Sequence, residues 1–109
     1  MRRGDVVLVA APGDYGKPRP AVVVQTDAFP ETHASAVICQ MTSELVEAPD
    51  FRITVEPDAG NGLRERSQIM VDKPTTVRRE RIREVIGRLT ADETVKLDAA
   101  VAFVMGLAD

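Results

Sequence analysis

Histidine and cysteine, whose chemistry works nearest neutral pH, are almost absent from this chain, and that scarcity narrows the choice. There is one histidine, His33, and one cysteine, Cys39. A single histidine excludes a two-histidine mechanism within one chain, and one histidine with one cysteine does not build a typical zinc site. Cys39 lies in the apolar run Ala36-Val37-Ile38-Cys39, where a thiol reads as buried and inert rather than nucleophilic. What remains is arginine, hydroxyl and carboxylate chemistry. Arg19 follows a loop and precedes an apolar run, so its base is held firmly while its planar fork suits two phosphate oxygens. Thr42, with Ser43 behind it, stands where an apolar run meets a loop, and its hydroxyl can bond a phosphate or a sugar hydroxyl. Asp72 offers a carboxylate able to accept a proton. Each also has a plainer reading from pattern alone: a solvated loop arginine, the start of a turn, and a strand-end aspartate bonding its own backbone before Pro74.

The elements that must hold these groups fit one small domain of 109 residues. A domain of this size buries a modest core, and oligomerisation is a common remedy, so a dimer is the working expectation. No apolar stretch approaches the roughly 20 residues that span a bilayer. The run Val6 to Ala11 ends at Pro12-Gly13, too early for a signal peptide. One cysteine allows no intrachain disulfide, which fits a reducing cytoplasm. Net charge is −3 and the pI is near 5.2, which argues against a general nucleic-acid coat protein. The charge is uneven, however. Arg78, Arg79, Arg81, Arg83 and Arg88 crowd one stretch, offset only by Glu80 and Glu84, while acidic residues dominate Glu44 to Asp58. Most of the arginine cluster reads as a solvated surface with ion pairs to Glu80 and Glu84.

The pattern predicts five or six short strands and one helix. Asp5 to Ala10 is a β-branched run, closed by a loop of turn formers from Ala11 to Pro18. Ala21-Val22-Val23-Val24-Gln25 is continuously apolar at its start, as in a strand buried on both faces. Ala36 to Met41 and the alternating Phe51-Arg52-Ile53-Thr54-Val55 are the next strands. A turn at Pro57 to Gly62 leads to a strand from Ser67 to Asp72, which Pro74 is expected to end, and Glu84 to Gly87 forms a short closing strand. Thr90-Ala91-Asp92-Glu93 fits a capping box, with a helix predicted from about Ala91 to Leu107. Leu97, Val101, Val104 and Ala108 lie on one face of that helix. Its second half is apolar on nearly every side, so it wants more than one cover. Short strands followed by a helix read as a small, mostly antiparallel barrel.

The order of motifs resembles the MazF/PemK/Kid toxins of type II toxin-antitoxin systems. Arg3-Gly4-Asp5-Val6-Val7-Leu8-Val9 is similar to their opening strand, and Pro18-Arg19-Pro20-Ala21-Val22-Val23-Val24-Gln25 to their Arg-Pro-hydrophobic second strand. Gln40-Met41-Thr42-Ser43 resembles the strand end that closes with Thr-Ser. Gly62-Leu63, Ser67 and Asp72-Lys73-Pro74-Thr75-Thr76-Val77 follow in order, and Gly87-Arg88-Leu89-Thr90 matches the lead-in to the final helix. Two places depart from the pattern. Met70 stands where PemK-like members carry an Arg two residues before the fifth-strand Asp, and Val77-Arg78-Arg79-Glu80 lacks an Asp common in relatives.

The resemblance implies an SH3-like small barrel of mostly β structure with a C-terminal α-helix, forming a homodimer. It implies a sequence-specific endoribonuclease that cuts single-stranded RNA without metal or other cofactor, by attack of the 2′-OH, and that a cognate antitoxin neutralises. Under it, Arg19 stabilises the transition-state charge, Thr42 bonds the phosphate or 2′-OH, and Asp72 accepts the proton. Tyr15, Lys17, Ser43 and Thr76 become RNA-contacting residues, Tyr15 by stacking and Lys17 by meeting phosphate. A CcdB-like toxin, which shares the barrel but inhibits DNA gyrase by binding, is the alternative. A catalytically inactive relative acting as a binding module is the third reading.

Overall fold

The strands form where β-branched and apolar residues run together. A computed structural model describes residues 1–10 and 17–107. In chain order these residues form β1 (Asp5–Val9), β2 (Arg19–Val23), β3 (Ser35–Thr42), β4 (Arg52–Val55), β5 (Ser67–Arg78), a 3-10 turn (Arg79–Arg81), β6 (Ile82–Arg88) and α1 (Ala91–Val104). All strand pairings are antiparallel, and the sheet order is β4-β5-β3-β2-β1-β6.

Register explains the two-sided burial of β2. Val6 pairs with Val22 and Val22 with Cys39, so these three form one row. That row faces a core completed by Ile69, Leu97 and Ala100, the last two from α1. Val7 pairs with Ala21, and Val23 with Ile38, on the opposite face, where they make a second apolar cluster with Val9 and Val77. Cys39 is fully buried, and that burial, with the Asp72 charge nearby, pushes its thiol up to about 11. An uncharged thiol of this kind is a packing residue, as its apolar surroundings suggested.

The expected barrel does not close by strand pairing: β4 and β6 are both edges. β4 has only four residues and stops before Pro57, whose missing N–H cannot extend a ladder. A loop takes the place of the missing pairing. The Arg88 N–H donates to the Gly60 carbonyl at 2.8 Å. A Cβ at Gly87 would collide with the Asn61 backbone, and one at Gly62, where φ is +70°, would collide with the Ile86 carbonyl. Asn61 organises this loop from within. It is 1% exposed, its Nδ2 donates to the Glu56 carbonyl, and its Oδ1 accepts from the N–H groups of Asp58 and Leu63.

Pro74 does not end β5, which continues to Arg78. The pairing with β3 jumps from Met41↔Ile69 to Cys39↔Pro74, so Met70, Val71, Asp72 and Lys73 stand against Gln40 alone. A bulge tolerates proline because the ladder is already interrupted there. Pro74 also lies beyond the last β4 pair, Arg52↔Met70, so no neighbour on that side needs its N–H.

The capping box at Thr90 forms as read from the sequence: the Thr90 hydroxyl accepts from the Glu93 N–H at 3.1 Å and the Thr90 N–H donates to the Glu93 carboxylate at 2.8 Å. The helix is shorter than predicted, ending at Val104, where the Leu107 N–H turns back to the Ala102 carbonyl. Ala108 falls outside the described residues. Leu97 and Ala100 are buried and Val101 and Val104 pack partly against the core, but Phe103, Met105 and Leu107 stay 43%, 54% and 80% exposed. No described helix is long and apolar enough to cross a membrane.

Candidate active site

Arg19 opens β2 and Thr42 ends β3, and the sheet brings them together. Ala21 pairs with Gln40; two residues further along each strand, the same register sets Arg19 across from Thr42. Both line a cavity of about 710 Å³ at this end of the sheet, together with Ser43, Gln40 and Met70. Its far wall comes from the Asn61 loop, through Leu63, Arg64 and Glu65, and from β6, through Glu84 and Ile86. Arg19 is exposed and Thr42 half-buried. The Thr42 hydroxyl accepts from the Glu44 N–H at 3.0 Å, which fixes the oxygen and leaves its proton free to donate. A guanidinium whose backbone is held by the sheet, beside a hydroxyl held by the Glu44 N–H, can bind an anion and stabilise charge that grows on it.

Asp72 is elsewhere. It does not line the groove, and its partner is Arg52, whose Nε and Nη2 donate to the two carboxylate oxygens at 2.9 and 3.4 Å. Arg52 comes from β4, directly across from Met70. The guanidinium that the sequence lacks at position 70 is thus supplied by the neighbouring strand. The bulge at Met70 to Lys73 explains the placement, because it detaches Asp72 from the β3 ladder and leaves it beside β4. The hydrogen bond from Arg52 holds the Asp72 carboxyl below its ordinary value of 3.8, which makes it a weaker base.

A carboxyl whose folded value is depressed contributes stability that is complete above its unfolded value and is lost as pH falls through the folded one. Asp72→Asn should therefore lower unfolding stability by about 1 kcal/mol at pH 7, with the deficit shrinking below about pH 4. Urea titrations of both proteins at pH 7 and pH 3 measure this; an equal deficit at both would refute it.

The other expected contacts divide. Ser43 lines the groove. Lys17 is exposed and precedes the groove residue Pro18 without lining the cavity itself. Thr76 pairs with Val37 along β5, away from the groove. Tyr15 falls outside the described residues. His33 stacks on Phe29, with ring centroids 4.5 Å apart, in the loop before β3. Within the arginine cluster, Arg78 pairs with Glu80 at 3.1 Å, but Arg88 pairs with Asp5 at 2.6 Å and Glu84 faces the groove. Arg64, Glu65 and Glu84 are groove residues that sequence reading passed over. Their only signal was Gly62-Leu63 just ahead of Arg64, a turn that says where the chain reverses and not what it faces.

The chain belongs to the family of PemK-like, MazF-like toxins of type II toxin-antitoxin systems, whose model matches residues 2–105. It is 41% identical over 109 residues to a probable endoribonuclease MazF of Mycolicibacterium smegmatis, covering 99% of each chain. Among solved structures it is similar to a mycobacterial endoribonuclease in complex with its cognate antitoxin, with a TM-score of 0.82 at 20% identity over 100% of this chain and 98% of that one. It is also similar to the Mycobacterium tuberculosis toxin MazF-mt6, with a TM-score of 0.81 at 18% identity over 96% and 99% of the two chains.

Proposed function

We propose that this chain is the toxin of a toxin-antitoxin pair and an endoribonuclease that cuts single-stranded RNA at a short sequence without a metal ion. The observation that carries this reading is the meeting of Arg19, Thr42 and Ser43 in one groove of a MazF-like chain. In the reaction, the 2′-oxygen of the substrate bonds to the adjacent phosphorus and the bond from phosphorus to the 5′-oxygen breaks. The 2′-OH proton passes to a base, and the leaving oxygen takes up a proton. Arg19 stabilises the extra negative charge on the phosphorane, and Thr42 donates to a phosphate oxygen. Asp72 fits the base role poorly, being held by Arg52 outside the groove; Glu65 and Glu84, which line it and form no ion pair among the described residues, are the carboxylates placed to accept the proton. Asp72 and Arg52 then serve to brace the strand that carries Met70.

The active form in this reading is a homodimer in the cytoplasm, its sheet curled into an SH3-like barrel shape. The uncovered Phe103, Met105 and Leu107 support a second chain against the helix end. The mycobacterial relative in complex with its antitoxin supports a protein antitoxin as the partner here, lying over the groove.

The test is to incubate the protein and Thr42→Val with a long RNA in EDTA and to map the ends. Wild type should cut at one motif, leaving a 2′,3′-cyclic phosphate or its 3′-phosphate product, and Thr42→Val should be slower by roughly 10- to 100-fold. Cleavage that stops in EDTA, or that leaves 5′-phosphate ends, would overturn the mechanism. Absence of cleavage together with inhibition of DNA supercoiling would place the protein with the gyrase-inhibiting toxins instead.

A further inference from the structure

We propose that Arg64 is a second phosphate-binding residue of the groove, holding a phosphate next to the one at Arg19; this rests on the RNA-cleaving reading above. Arg3, Arg52, Arg66, Arg78 and Arg88 are each committed to a carboxylate at 3.1 Å or less. Arg64 is exposed, lines the same groove as Thr42 and Ser43, and has no ion pair among the described residues. Its neighbour Arg66, two residues on, is tied to Glu56 at 3.0 Å and does not line the groove. The same short segment thus puts one arginine at the groove and pairs the other with a carboxylate outside it.

Two further observations give Arg64 weight. The segment is preorganised: Asn61 locks the loop just before it, and the Gly62 backbone sits against Ile86, so the base of Arg64 is held at little entropic cost on binding. Among the described residues that line the groove, Arg19 and Arg64 are the only cations. Glu65 and Glu84 share its walls and repel a polyanion, and the chain as a whole carries −3, so no general field draws RNA in. With binding confined to a few point contacts, each cation there should be visible in the salt dependence of affinity.

The probe is a single-stranded oligonucleotide spanning the mapped cut site, with 2′-O-methyl ribose throughout so that the nucleophile is blocked. Its affinity is measured across salt concentrations by fluorescence anisotropy. Each phosphate contact contributes about 0.7 to the slope of log K against log salt for a single strand. Arg64→Gln should weaken binding about tenfold at low salt and lower the slope by about 0.7. Arg64→Lys should keep the slope, because the charge remains. Arg66→Gln, the control in the same segment, should change neither. Wild type that cuts RNA, with Arg64→Gln matching Arg66→Gln in affinity and slope, overturns the role of Arg64 alone. Wild type that neither cuts nor binds RNA overturns the ribonuclease reading and the role of Arg64 with it.

Discussion

Gly87→Ala is expected to cost the fold about 3 kcal/mol or more and to lower the melting temperature by about 12 °C or more. The added methyl would sit 2.5 Å from both the Asn61 Cα and the Gly60 carbonyl oxygen. These are backbone atoms of a braced loop, so no flexible side chain can swing away to make room. Asn61 is bonded to Glu56, Asp58 and Leu63, and the Asp58 carboxylate accepts from the N–H groups of Gly60 and Asn61. To admit the methyl, β6 must draw away from the loop, which stretches the Arg88 to Gly60 hydrogen bond. A small domain has only about 5–15 kcal/mol of stability in total, so the loss is a large share. Thermal unfolding followed by circular dichroism measures it. A midpoint within about 2 °C of wild type would show that loop and strand do not hold each other closed. The change also displaces Arg64 and Glu65, so surviving folded protein should cut RNA more slowly.

Arg19→Ala is the second large effect, expected to slow single-turnover RNA cleavage by about 10²–10³-fold. Arg19 is anchored by the β2 ladder, paired with Val9 on one side and set across from Thr42 on the other. A charge held there before substrate arrives pays no reorganisation penalty when the phosphorane forms. Arg19→Lys should recover only part of the rate, because an ammonium keeps the charge but not the planar fork that spans two oxygens. Substrate affinity should move much less than rate in both variants if the contact tightens in the transition state. Cleavage by Arg19→Ala within about threefold of wild type would remove Arg19 from the reaction.

Much of the architecture was legible because it rests on neighbours in sequence. The apolar run Ala21-Val22-Val23-Val24 announced a strand buried on both faces, and the two clusters that share β2 are the reason. Thr90 and Glu93 announced the helix start through a reciprocal bond that needs no third residue. The lone Cys39 announced its own burial through the hydrophobic residues around it. Arg19 and Thr42 were legible as candidates through the family resemblance, since pattern alone reads them as a loop arginine and a turn start; the register then set them side by side.

The rest depended on pairings that local pattern does not encode. Pro74 reads as a strand end, yet β5 runs through it, because β3 meets a bulge there and β4 has already stopped. The same bulge sends Asp72 to Arg52, a residue twenty positions earlier whose partnership exists only once β4 and β5 align. Closure of the sheet fell to the Asn61 loop rather than to a ladder, through contacts between Gly60, Gly62 and β6. Side-chain period and adjacent residues were enough for the positions of the strands, the start of the helix and the buried thiol, while the arginine and hydroxyl candidates came from the family resemblance. Which of those groups share a groove came from the fold. That choice depends on register, where a bulge changes which side chains face each other.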